Sequence, residues 1–117
     1  KERKDKWIEI YNKLGNNEVD WKGYENVLAN LWQKQLHIYE VPFYYIEYGM
    51  AQLGAIAIWR SYKLLGDEAI DNYMSALRLG YTKTISEIYK QAGIEFNFSD
   101  SYVKELAEFI NAELKKI

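Results

Sequence analysis

Apolar positions along this chain recur mainly at helical spacing, and glycines or short polar groups interrupt them at intervals. Trp7, Ile8, Ile10, Tyr11 and Leu14 form the first stripe, closed by Gly15 and the polar pair Asn16-Asn17. Asp20 is placed to cap a second helix through Trp21, Tyr24, Val27, Leu28, Leu31 and Trp32, ending near His37. Pro42 disfavours helix at Val41 but suits the first turn of the next one, so a third helix is expected over residues 43–65, stopped by Gly66. Asp67 should cap a fourth helix carrying Ile70, Tyr73, Met74 and Leu77 and ended at Gly80. Thr84-Ile-Ser-Glu87 reads as the capping box of a short fifth helix that Gly93 closes. Ile94-Glu-Phe-Asn-Phe98 alternates, but so short a run without a partner strand fits an apolar loop packed on the core. Ser99 or Ser101 caps the last helix, with Val103, Leu106, Phe109, Ile110 and Leu114 on one side. The pattern predicts an all-α fold of about six helices in a single helical domain over residues 1–117, the third helix being the longest and most buried.

That third helix carries no charged face. At about 100° per residue, Tyr44, Tyr45, Tyr48, Gln52, Ala55 and Trp59 fall on one side, and Phe43, Ile46, Met50, Leu53 and Ala57 on the other. Such a helix is covered on both sides, or on one side with a cleft on the other. Gly49 and Gly54 each cost about 0.5–1 kcal/mol relative to Ala inside a helix, which points to close approach of another segment. Glu47 lies on neither face and is placed to partner Arg60, a group outside this chain, or water.

Composition narrows the function classes. A net charge of −2 gives no electrostatic reason to expect nucleic acid or an anionic membrane as partner. The apolar stretch over residues 41–59 is interrupted by Pro42, Glu47 and Gln52, which argues against a membrane span. The absence of Cys removes disulfides, thiolate nucleophiles and Cys-based zinc sites, and a cytoplasmic setting is expected. With 11 Tyr and 4 Trp, the chain is rich in residues suited to surfaces that are partly buried yet keep a polar tip. The opening Lys-Glu-Arg-Lys-Asp-Lys lacks Met and runs straight into a helical pattern, as expected of a piece of a longer protein.

The candidate chemistry lies at His37 and the tyrosines after Pro42. One imidazole and several phenols brought together can donate hydrogen bonds to a carbonyl or an oxyanion. The same tyrosines also fit core positions whose hydroxyls reach the surface, and residue types alone leave both readings open. No His-Glu-x-x-His, phosphate loop or Gly-x-Ser-x-Gly elbow is present. With one His, a zinc site within this chain would need carboxylates from scattered positions, so no metal ligand is assigned.

The words His37-Ile-Tyr-x-x-Pro-Phe-Tyr-Tyr-Ile-Glu-Tyr48 and Gly49-Met-Ala-Gln-Leu-Gly-Ala55 resemble the C-terminal region of oligoendopeptidase F and its thimet-oligopeptidase-like relatives, a family of zinc metallopeptidases. Agreement continues through Ala76-Leu-x-Leu-Gly80, Ile88-Tyr-x-x-Ala-Gly-Ile94 and Phe96-x-Phe-Ser99, and spans residues 20–117. The resemblance implies the C-terminal helical part of a larger zincin-like oligopeptidase, which hydrolyses short peptides admitted to a deep channel. It implies zinc in the intact parent enzyme, held by His-Glu-x-x-His and a downstream Glu that precede this region, and none in this piece. On the same resemblance His37, Tyr45 and Tyr48 are the catalytic candidates. Tyr44, Tyr39 and Gln52 are the substrate-binding candidates. The implied partners are short peptides and the upstream catalytic part of the same protein. The piece alone is expected to be inactive and to self-associate through its tyrosine-rich surface. The rival reading is a stand-alone helical peptide-binding or oligomerisation domain without catalysis.

Overall fold

The computed structural model describes residues 1–15 and 18–117, so the expected Asn16-Asn17 turn lies outside the described residues. Among the described residues the chain forms seven α-helices and one 3-10 turn, with no strand. Its contacts group it into two compact units, Lys1–Tyr45 and Ile46–Ile117. No helix among the described residues is long and apolar enough to cross a membrane.

In the first unit, α1 (Glu2–Leu14) ends at Gly15, whose N–H donates to the Tyr11 carbonyl. Its inward side chains use their polar handles. The Trp7 indole donates to the Leu28 carbonyl at 2.9 Å, and the Trp21 indole donates to the Tyr11 hydroxyl at 3.1 Å. Leu28 and Ala29 are the buried residues here. The expected second helix is broken into pieces: α2 (Glu25–Leu28), a 3-10 turn (Leu31–Lys34) and α3 (His37–Glu40). Asp20 does not cap it; its carboxylate accepts from the Lys22 N–H at 2.9 Å in a local turn, and Gly23 follows with φ +82°. The Asn30 amide then donates back to the Asn26 carbonyl at 2.6 Å, giving the backbone an alternative to continued helix.

The second unit holds α4 (Ile46–Leu65), α5 (Asp67–Leu79), α6 (Ile85–Gln91) and α7 (Asp100–Leu114). α4 is the longest helix, as the pattern predicts, but begins at Ile46 rather than Phe43. It is not the most buried, because only Ala57 along it is fully covered, whereas α5 and α7 each bury two residues. Ala57 packs with Tyr102 and Leu106 of α7, and Leu53, Ile56 and Ile94 close around them. Trp59 meets Phe109 edge-on at 4.9 Å. Arg60 pairs with Glu105 and lies 5.8 Å from the Tyr102 ring, so Glu47, which is exposed, is not its partner. Burial pushes the Tyr102 phenol above its ordinary range, and the Arg60 charge opposes that shift.

Gly66, with φ +61°, alone separates α4 from α5 and is itself the N-cap. Asp67 is therefore the first helical residue and not the cap, and favours the helix by its charge in the first turn. The buried side of α5 is Ala69 and Ala76, while Ile70, Tyr73, Met74 and Leu77 are exposed. The capping box at Thr84 and Glu87 forms with both bonds, and Ser99 caps α7. The segment between α6 and α7 is the expected apolar loop, with Phe96 set edge-on to both Tyr89 and Phe98.

The two glycines of α4 differ. A Cβ on Gly54 would sit 2.7 Å from the Tyr89 hydroxyl, whereas one on Gly49 meets nothing within 4 Å. Gly54→Ala should therefore lose about 1–3 kcal/mol by forcing Tyr89 off Phe96, and Gly49→Ala should gain about 0.5–1 kcal/mol from helix propensity. Chemical denaturation of the two variants checks this, and a gain for both would refute the close approach.

Glu113 accepts from Lys116 and, at 2.8 Å, from Lys63 of α4, and these bonds hold its carboxyl below the ordinary 4.5. Because the folded value lies below the unfolded one, the contribution is complete above the unfolded value and is lost as pH falls through the folded value. The difference in melting temperature between the wild-type chain and Glu113→Gln should be constant from about pH 7 to about pH 5 and shrink below about pH 4.5. A difference that persists undiminished at about pH 3 would contradict the assignment.

Candidate functional site

The site is set by how the chain leaves α3. The His37 carbonyl accepts from the Val41 N–H at 3.1 Å, closing the single turn of α3. Val41 precedes a proline and is pushed out of the helical region, to φ −135° and ψ 82°. Its carbonyl then accepts from the Tyr44 N–H at 3.1 Å across Pro42 and Phe43. Phe43 has φ +65°, the sign a type II turn requires at the position after proline. That position normally holds Gly or Asn, and a left-handed conformation costs other residues about 1–2 kcal/mol.

The reversal returns the next two side chains to the imidazole. The Tyr44 ring stacks on His37 with centroids 6.0 Å apart and an interplanar angle of 6°, and Tyr45 lies 5.8 Å away, tilted by 49°. His37 is partly buried, while both tyrosines remain nearly half exposed. Tyr44 and Tyr45 are thus not on the long helix, as the wheel placed them; the turn around Pro42 brings them to His37. Phenols can donate or accept and an imidazole can donate from a ring nitrogen, so the cluster can offer several donors to one oxygen.

The other candidates lie elsewhere. Tyr39 stacks on Trp32, with centroids 6.0 Å apart, and borders a groove of about 490 Å³ with Arg3, Lys6, Trp7 and Ile10. Tyr48 is in the first turn of α4 and Gln52 one turn further along, both exposed and both in the second unit. Tyr45 precedes α4 and so does not share a helical turn with Tyr48. Two features escaped sequence reasoning. Phe43 is 96% exposed at the tip of the turn, and the Trp32 indole N–H is buried with no partner among the described residues. The Pro-Phe step before two tyrosines was the available signal for the first, since proline favours the second position of such a turn. Nothing in the sequence marks the second.

The residues present do not fit a zinc cage. Among the described residues no three His, Cys, Asp or Glu side chains come together, and the imidazole is flanked by phenol rings.

The comparisons with known proteins bear on what this cluster belongs to. No curated protein and no solved structure matches the chain. A family model described as peptidase family M3 matches residues 1–108, nearly the whole sequence. The cluster of His37, Tyr44 and Tyr45 therefore sits in a chain that belongs to peptidase family M3.

Proposed function

We propose that this chain is the C-terminal helical portion of an oligoendopeptidase-F-like zinc metallopeptidase acting on short peptides, in which His37, Tyr45 and Tyr48 donate hydrogen bonds to the carbonyl under attack. The observation that carries the reading is the packing of Tyr44 and Tyr45 on His37 in a chain of this family. Zinc would be held by other residues of the whole peptidase, since the described residues bring no ligand set together, and it would supply the activated water.

What the chain's own residues do follows from their chemistry. A phenol or imidazole donor aimed at the carbonyl oxygen stabilises charge as the tetrahedral state forms, an effect of about 3–4 kcal/mol per donor in comparable sites. The near-parallel stack of Tyr44 on His37 fixes the plane of the imidazole, so its donor direction is set before substrate arrives. Tyr44, Tyr39 and Gln52 would line the path of the peptide. The exposed apolar side chains would face the upstream catalytic part of the same protein, and in the isolated chain would promote self-association. We place the peptidase in the cytoplasm, in keeping with a chain that uses no cysteine.

After dialysis the isolated chain should hold no stoichiometric zinc by elemental analysis and should leave a fluorogenic peptide uncut. Chelator-sensitive cleavage by the pure chain would overturn the division of labour proposed here.

In the whole peptidase, Tyr45→Phe and Tyr48→Phe each remove one oxygen and should lower kcat by about 10²–10³ while KM and zinc content stay close to normal. His37→Ala should do the same or worse, whereas Tyr44→Phe keeps the stack and should cost less. Steady-state kinetics with metal analysis decides the matter: near-normal kcat in all of the first three would leave the tyrosines as packing residues.

A further inference from the structure

We infer that the groove beside α1 in the first unit binds a carboxylate carried on an apolar or aromatic group, an inference that does not depend on the role proposed for His37. The α1 side of the groove is a single stripe. Arg3, Lys6, Trp7 and Ile10 recur at i, i+3, i+4 and i+7, so one helix face carries two cations towards one end and apolar groups towards the other. Ile38 and Tyr39 of α3 complete the lining, with Trp32 stacked on Tyr39. The space is about 490 Å³, within the range of sites that hold small ligands.

The lining fixes the chemistry of the occupant. It offers donors and positive charge but no carboxylate. Lys6 does pair with Glu9 at 2.6 Å, yet both side chains are 64% exposed, and so open an ion pair holds the ammonium only weakly. The tryptophans of the unit supply a second, independent observation. The Trp7 indole spends its N–H on the Leu28 carbonyl at 2.9 Å, and the Trp21 indole spends its own on the Tyr11 hydroxyl at 3.1 Å. The Trp32 indole N–H is buried and has no partner among the described residues. A buried donor left unpaired is a standing cost that an incoming acceptor removes. The matching molecule brings negative charge and acceptor oxygens for Arg3, Lys6 and Trp32, and an apolar body for Trp7, Ile10 and Tyr39. A carboxylate on a short apolar group has both parts; a neutral or cationic head does not.

The test titrates the isotope-labelled full chain with phenylpropionate, phenylpropionamide and propionate, and follows the indole N–H resonances. Those of Trp32 and Trp21 are assigned by their loss in Trp32→Phe and Trp21→Phe. The aromatic acid should move the Trp32 resonance, leave that of Trp21 in place, and bind about tenfold more tightly than its amide. Propionate, with the charge but no ring, should also bind about tenfold more weakly. Arg3→Gln combined with Lys6→Gln, both at exposed positions, should bring the acid down to the affinity of the amide. Salt at about 0.5 M should do the same with no substitution at all. N-acetylphenylalanine presents the same carboxylate as the end of a peptide; tighter binding than phenylpropionate assigns the groove to peptide ends, and weaker binding to free acids. Equal affinity for acid and amide would show that the groove reads only the apolar body. Equal affinity for propionate and phenylpropionate would show exposed cations acting alone. Either result, or a Trp32 resonance that stays in place, overturns the inference.

Discussion

Pro42 has no N–H to donate and a φ fixed near −65°, and the arrangement around the candidate site follows from those two properties. It forces Val41 out of the helical region, which ends α3 at Glu40. It presets the first corner of the turn that Phe43 completes with a positive φ. Only at Ile46 does regular helix resume. The interval is long enough for two tyrosines to turn back onto the imidazole. A residue with ordinary backbone freedom at this position would let the helical pattern run on, and Tyr44 and Tyr45 would point where the wheel puts them.

In the second unit, beside buried Tyr102 and Leu106, most of the covered positions hold alanine. Ala57, Ala69, Ala76 and Ala92 are buried, whereas Ile70, Met74, Leu77 and Tyr81 are exposed. Small residues let the helix backbones approach, and the larger apolar groups stay exposed. An exposed apolar surface of this kind is what the proposed docking onto the rest of a peptidase would use.

Helix existence was legible because it rests on local signals. The capping box at Thr84 and Glu87, the cap at Ser99 and the stop at Gly66 each act within a few residues and appear where the pattern puts them. Burial was less legible, since periodicity identifies an apolar stripe but not which way it faces; in α5 the alanines and not the stripe turn inward. The stretch from Trp21 to His37 misled for a related reason. Its apolar spacing is helical, but side chains such as Asp20 and Asn30 bond to nearby backbone and break the run. At the site, the sequence reading set His37 with Tyr45 and Tyr48, whereas the rings beside the imidazole are those of Tyr44 and Tyr45. The turn that brings them there requires a left-handed phenylalanine that no propensity would suggest.

The same turn that strains Phe43 also positions the imidazole, and the two effects are linked through Tyr44. Its N–H closes the turn on the Val41 carbonyl while its ring lies flat on His37, itself bonded through its carbonyl to Val41. Backbone and ring contacts therefore form one closed circuit from His37 through Val41 to Tyr44 and back. Relaxing any one member loosens the others, so the conformational cost at Phe43 and the orientation of the donors are parts of a single arrangement. In the role proposed for it, a donor set held in this way would need little reorganisation as charge develops on a bound carbonyl, an advantage that would offset the strain beside it.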